Sequence, residues 1–236
     1  MKISLITPAG RQSRAGNRAT ATRWGRFLRE LGHRVHIAME HNGRQAELMI
    51  ALHAWRSAES IRAFSDRWPD RPLVVVLTGT DIYKFQHSHP EATLGSMARA
   101  HALIGLHDRV CDDIPARFHQ RLHTVFQSAR PLSRRLAPVQ SWFDVCVAGH
   151  LREEKDSLRA AYAVRELPEH SRLRVVHMGK PHNAEWEAAA LAEAQSNPRF
   201  RWRGEVAHGE VRRLMGQARL MVMSSVMEGG ANVVSE

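Results

Sequence analysis

Cysteine is nearly absent: the 236-residue chain holds only Cys111 and Cys146, and neither lies in a Cys-x-x-Cys pair. That excludes a disulfide framework and a cysteine zinc site, and it fits a reducing compartment. No apolar run approaches the roughly 20 residues needed to span a bilayer. The opening Met1-Lys2-Ile3-Ser4-Leu5-Ile6 is too short before Thr7-Pro8 to be a secretory leader and reads as a buried strand. The expectation is a soluble, cytoplasmic protein with no membrane partner. Also missing are Asp-x-Asp, Gly-x-Gly-x-x-Gly, a Walker loop, Gly-x-Ser-x-Gly and His-Glu-x-x-His. Their absence leaves metal-dependent sugar transfer of the Asp-x-Asp type, a dinucleotide fingerprint, P-loop chemistry, serine hydrolysis and zinc proteolysis without support. The 15 histidines are scattered without ligand spacing, so no metal site is expected.

What is present is a normal globular mix, 43% hydrophobic and 25% charged, with a net charge of +10. Such a charge suits nucleic acid, a small phosphorylated ligand in an electropositive cleft, or plain solvated helix faces. The basic residues are dispersed, with no run of five and no nucleic-acid-binding motif, so most are read as solvated and no nucleic-acid partner is expected. A basic Rossmann-like nucleic-acid binder stands as the alternative from another class.

Apolar β-type runs at 3–7, 35–39, 47–52, 73–77, 102–106 and 122–126 alternate with amphipathic stretches. One of these, 19–31, puts Trp24, Phe27, Leu28 and Leu31 on one face and ends at Gly32. A polar segment bracketed by prolines, 128–138, reads as a linker. The pattern then restarts with strands at 143–148, 173–178, 200–203 and 220–224 and helices at 155–167, 184–195 and 209–218. This is an α/β chain of two Rossmann-like domains, 1–138 and 139–236. Fewer than about five strands is unusual for a doubly wound sheet, so the second domain is expected to be incomplete in this chain.

The most informative stretch runs from Met223 to Glu236: a strand, the turn Glu228-Gly229-Gly230-Ala231-Asn232, then a helix start. Such a turn gathers free backbone N–H groups and a positive dipole end, which suits an anion, and glycines let a diphosphate come close. After the first strand of the second half comes Gly149-His150-Leu151-Arg152-Glu153-Glu154-Lys155-Asp156, with cations that can hold a phosphate; the plain alternative is an ordinary helix first turn. The loop after strand one carries Arg11, Arg14 and Arg18 with Gly16 and Asn17. His53 and the Leu77-Thr78-Gly79-Thr80-Asp81 run end two further strands, at the carboxyl edge where α/β ligands bind. A capping Asp81 and a surface His53 are the bland readings.

Glu228 and Glu236, eight apart around the glycines, resemble the Glu-x7-Glu donor site of retaining GT-B glycosyltransferases. The resemblance implies that Glu228 lies beside the donor sugar and that Gly229, Gly230, Ala231, Asn232 and Val233 surround the sugar or diphosphate. It implies that Glu236 accepts the ribose hydroxyls and that Val206, after Phe200-Arg201-Trp202-Arg203-Gly204-Glu205, belongs to the base-reading turn. Lys155 fits the family's Gly-Arg-Leu-x-x-x-Lys diphosphate motif. His150 stands where that motif has arginine, and Arg152 is the candidate to supply the charge. Together with Thr7-Pro8-Ala9, Gly16-Asn17-Arg18 and Gln127-Ser128-Ala129, these motifs are similar to the selenosugar synthases of selenoneine biosynthesis over the whole chain. That subgroup shares the His150 departure. It implies a UDP-sugar donor, UDP-N-acetylglucosamine foremost, selenophosphate as partner substrate, a carbon–selenium bond and no cofactor. Lys155, Arg152 and Glu228 are then the catalytic candidates. Gly16, Asn17 and His150 join the nucleotide-sugar candidates, and Arg11, Arg14, Arg18, His53, Thr80 and Asp81 are the acceptor-side candidates. A hydroxyl acceptor on the same fold and a non-catalytic nucleotide-sugar module stay open, as does the oligomeric state.

Overall fold

The computed structural model describes residues 1–13 and 15–236. The chain divides into two units: residues 1–129 with 228–235, and residues 130–227 with 236. Among the described residues no helix is long and apolar enough to cross a membrane.

The first unit is built on six parallel strands: β1 (Lys2–Ile6), β2 (Arg34–Ala38), β3 (Leu48–Leu52), β4 (Leu73–Leu77), β5 (Ala102–Gly105) and β6 (Leu122–Thr124), in the order β2-β1-β3-β4-β5-β6. Central parallel strands are covered on both faces, which is why β4 reads Leu-Val-Val-Val-Leu without a polar residue. Its alternate residues enter different cores. Leu73, Val75 and Leu77 pack with Ile61 and Phe64 of α2 (Ala58–Arg67), whereas Val76 packs with Ala21 of α1 (Gly16–Glu30). Trp24 and Leu28 of α1 lie against that second core, as the 19–31 amphipathic pattern requires. Gly32, at φ +85°, ends α1. After β4 the chain makes a π-helical turn over Asp81–Phe85 and continues into α3 (Gln86–Ser88) and α4 (Pro90–Arg99). Met97 of α4 joins Phe64 in the first core. A short α5 (Val110–Asp113) follows β5.

The second unit has four parallel strands, β7 (Phe143–Ala148), β8 (Leu173–Met178), β9 (Phe200–Trp202) and β10 (Leu220–Met221), in the order β10-β7-β8-β9. Val145, Val147, Val175 and Phe200 form its core with Ala160 and Ala161 of α6 (Arg159–Ala163) and Ala190 of α7 (Ala184–Ser196). Asp144 and Arg174 face each other in the β7–β8 register and make two hydrogen bonds of 2.8 and 2.9 Å. Of residues 128–138, expected to be a linker, 130–138 count with this unit. Leu132 and Leu136 lie over Gly216 of α8 (His208–Gln217), so close that a Cβ on Gly216 would stand 2.8 Å from Leu132 Cδ1.

Three expected elements come out differently. Strands 122–126 and 220–224 shorten to Leu122–Thr124 and Leu220–Met221. The expected helix 155–167 is not continuous: a 3-10 turn at Glu153–Lys155 ends where Asp156 turns left-handed at φ +44°, and α6 begins only at Arg159. Ser157 explains the break, since its hydroxyl donates back to the carbonyl of His150 at 3.2 Å and accepts from the Arg152 amide at 3.2 Å. A last helix, α9, covers Asn232–Ser235.

Candidate functional site

In the first unit the candidate residues gather at the carboxyl ends of β1, β3, β4 and β5. Asp81 is fully buried, and it takes the Ala54 amide at 2.9 Å and the Thr78 amide at 2.9 Å, so its carboxylate clasps the ends of β3 and β4 together. His53 is 2% exposed at φ +74°. Its Nδ1 accepts the Arg56 amide at 3.2 Å, so Nε2 is the ring atom that carries hydrogen and donates to Thr80 Oγ1 at 3.0 Å. Burial, against the pull of nearby Asp81, holds His53 below its usual affinity for a proton, so it is a neutral donor. Both residues therefore set loop geometry, and Thr80 is the half-buried group they present. Arg11 is exposed, and Asn17 and Arg18 are half-buried. Arg14 lies outside the described residues.

The glycine turn and α9 pack within this first unit, whereas the motif was expected in the second domain. Gly79 sits at φ +116°, and a Cβ there would lie 2.7 Å from the Gly229 amide nitrogen, so both glycines are needed for the approach. A Cβ on Gly230 would collide with Leu106. Asn232 donates to the Gly16 carbonyl at 3.4 Å and to Thr20 Oγ1 at 3.5 Å, while Ser235 donates to the Gln127 carbonyl at 2.9 Å. Three of the expected nucleotide-sugar residues, Gly16, Asn232 and Gly229, are thus drawn into one corner with Gly79. Val233 is half-buried beside them, and Ala231 likewise. The expected helix start is real but short, four residues.

Beside this corner lies a polar chain that motif reading missed. His107 Nδ1 accepts the Arg109 amide at 3.2 Å, so its Nε2 donates to the Tyr83 hydroxyl at 3.0 Å, and Tyr83 donates to Asp113 Oδ2 at 3.1 Å. Burial first, then the charges of Asp113, Asp81 and Glu228, push the Tyr83 hydroxyl up to about 12. Tyr83 therefore stays protonated, and Glu228 is near enough to be felt. The residues in this chain come from three different segments, none matching a motif.

In the second unit the loop after β7 carries His150, Arg152 and Lys155. Ser224 fixes its far end, donating to the carbonyls of Lys155 at 3.1 Å and Asp156 at 2.9 Å. Its near end is fixed from below by His177, 1% exposed, whose ring nitrogen Nε2 bonds the Gly149 carbonyl at 3.0 Å. The half-buried His150 is held below its usual proton affinity, first by desolvation, then by Lys180 and Arg152. It contributes a neutral imidazole within a cationic surround. Val206 is half-buried just past Gly204-Glu205, and the neighbouring Trp202 indole donates to the Gly179 carbonyl at 2.9 Å. Glu236 pairs with His208 at 3.1 Å, and its carbonyl accepts from Arg212 at 3.4 Å. Among the described residues no three His, Cys, Asp or Glu side chains converge as a metal-ligand set.

No protein-family model and no curated protein matches this chain in sequence. Solved structures do match in shape. The HepE protein of Anabaena, determined with UDP and glucose, superimposes with a TM-score of 0.71 at 14% identity, covering 99% of this chain and 77% of that one. Sucrose-phosphate synthase from Thermosynechococcus elongatus gives 0.73 at 12% identity with the same coverage of 99% and 77%. The lipopolysaccharide outer core galactosyltransferase WaaB, in its apo form, gives 0.66 at 10% identity, again over 99% and 77%. The chain has the parallel-sheet α/β fold of GT-B glycosyltransferases.

Proposed function

We propose that this protein is a glycosyltransferase that uses a UDP-sugar and delivers the sugar to selenophosphate, forming a carbon–selenium bond. The observation that carries the donor half is the cationic loop after β7, with Arg152 and Lys155 tied in place by Ser157, Ser224 and His177, in a chain folded like structures solved with UDP and glucose. Fold alone does not assign chemistry, so the weight falls on these residues. The selenium half rests on the motif resemblance that runs through residues 6–236.

In this reading the anomeric carbon–oxygen bond breaks and its electron pair leaves with the UDP β-phosphate. Arg152 and Lys155 stabilise the charge that grows on that oxygen, as fixed cations do best where charge develops. A selenium lone pair of selenophosphate forms the new bond to the same carbon. Selenophosphate arrives as an anion with a soft, exposed nucleophilic atom, so no strong general base has to remove a proton. What it needs is placement against a second anion, and Arg11, Arg14 and Arg18 are assigned that task, with Thr80 as a neutral partner. Glu228 is assigned to the sugar and Glu236 to the ribose hydroxyls.

The test is mass spectrometry of the protein incubated with UDP-N-acetylglucosamine and selenophosphate. The expected result is UDP release that depends on selenophosphate, with a sugar product bearing the isotope pattern of selenium. Release that is indifferent to selenophosphate, with a selenium-free product, overturns the acceptor and leaves a hydroxyl-directed transferase. No binding of UDP-sugar at all overturns the donor half.

A further inference from the structure

Lys180 is a cation of the second unit that no motif contains. Lys180 follows β8, in the loop Gly179-Lys180-Pro181-His182, and this loop is laced to the one after β7 by its backbone. The Leu151 amide donates to the Lys180 carbonyl at 3.0 Å, the His182 amide donates to the Leu151 carbonyl at 2.9 Å, and Leu151 and Pro181 form a parallel bridge. The two loops approach so closely that a Cβ on Gly179 would stand 1.8 Å from the Gly149 carbonyl oxygen. Lys180 is therefore carried by the same rigid platform as His150, Arg152 and Lys155, and its side chain is exposed.

A second observation concerns charge. In the motif that this loop resembles, an arginine stands where this chain has His150, and Arg152 is the candidate inside the loop to make up that positive charge. Half-buried among cations, His150 cannot replace it: desolvation comes first in lowering its proton affinity, and Lys180 ranks ahead of Arg152 and Lys155 among the cations that lower it further. The Lys180 ammonium, on a loop bridged to the His150 loop, is thus a cation felt at the His150 ring.

We infer that Lys180 is a donor-binding residue that adds, from the neighbouring strand end and beside Arg152, diphosphate-directed charge that His150 lacks. This rests on the donor assignment made above. The platform then offers a divided function: His150 provides a neutral hydrogen bond, and Lys180 adds charge. A lysine is suited to this, because a point charge on a flexible stem follows a phosphate without the fixed fork of arginine.

The experiment is calorimetric titration of UDP and of UMP into the intact protein and into its Lys180→Ala and Lys180→Arg variants. An exposed charge pair is worth up to about 1 kcal/mol, so Lys180→Ala is expected to weaken UDP about threefold to fivefold. UMP, with one phosphate fewer, loses less than about twofold because it offers less charge to meet, and Lys180→Arg recovers most of the UDP affinity. Lys180 is exposed, so the urea midpoint of the variants stays at that of the parent and excludes a folding defect. Unchanged UDP affinity in Lys180→Ala overturns the inference, and so does an equal loss for UDP and UMP. Failure of the unaltered protein to bind UDP instead overturns the donor assignment itself, with Lys180 included.

Discussion

Replacing Asp81 by alanine removes the buried carboxylate that joins the ends of β3 and β4 through two backbone amides. Its two oxygens take the amides of Ala54 and Thr78, each at 2.9 Å, at a position with no solvent exposure. Hydrogen bonds to a charged acceptor are worth about 1.5–3 kcal/mol each, so two amount to about 3–6 kcal/mol. Removing the carboxylate also relieves its own burial cost, which brings the expected net loss to about 3 kcal/mol. Water cannot rescue the orphaned amides easily, because the corner is closed by His53 and Ile82, 2% and 0% exposed. The assay is urea unfolding followed by tryptophan fluorescence, with Trp55 as a local reporter 6.3 Å from His53 between ring centroids. At a slope of about 2 kcal/mol per molar urea, the first unit's midpoint falls by about 1.5 M. Asp81→Asn keeps one acceptor oxygen and loses about half as much. A midpoint shift below about 0.5 M for Asp81→Ala refutes the clasp, since two enclosed amides cannot lose their partner so cheaply.

Other perturbations test other parts of the molecule. Phe64→Ala empties the heart of the larger core and costs about 3–5 kcal/mol by thermal or urea unfolding, with a smaller loss speaking against a rigid core there. The buried His53 and His177 both hold protons more weakly than the ordinary value of 6.5, so the unfolded chain binds more protons than the native one. Stability is accordingly full above that value and falls as pH drops through it towards the depressed folded values. The slope is at most about 1.4 kcal/mol per pH unit for each histidine, and His177→Phe removes the His177 share while the depressed His150 keeps its own in the second unit. A pH-independent urea midpoint between pH 7 and 5 contradicts this. Gly79→Ala forces a Cβ to 2.7 Å from the Gly229 nitrogen, so the 228–235 segment should loosen, read as faster amide exchange there than elsewhere in the first unit. Lys155→Ala should reduce kcat/KM for the UDP-sugar by at least about tenfold, and unchanged turnover removes Lys155 from the diphosphate.

Strand order along the chain was legible because parallel, doubly covered strands are written as bare apolar runs, and Leu73–Leu77 and Leu173–Met178 matched their expected bounds. Helix 155–167 misled because its apolar residues begin only at Leu158 and leave the Lys155-Asp156-Ser157 start to be read as a polar first turn, while the hydroxyl of Ser157 bonds backwards and breaks the turn. Periodicity does not register one side chain competing for a carbonyl. The site divides in the same way. His150, Arg152 and Lys155 stood out because they are contiguous, and so did the glycines at 229 and 230. Lys180 did not, since it reaches the platform from a different strand through a backbone bridge. The His107–Tyr83–Asp113 chain was hidden for the same reason. The packing of residues 228–235 with the first unit depends on Gly79 and Leu106, far away in sequence, and no local pattern announces such a partner.

That packing has a bearing on how the molecule is made. The first unit is interrupted: a ribosome delivers residues 1–129, then residues 130–227 of the second unit, and only afterwards the eight residues from Glu228 that rest on Gly79, Leu106 and Gln127. Until they emerge, the nascent first unit exposes an unfilled seat beside Leu106, and closing it requires one of the longest-range contacts in the chain, which is slow to form. Chaperone capture or premature aggregation during synthesis should therefore concentrate on this seat.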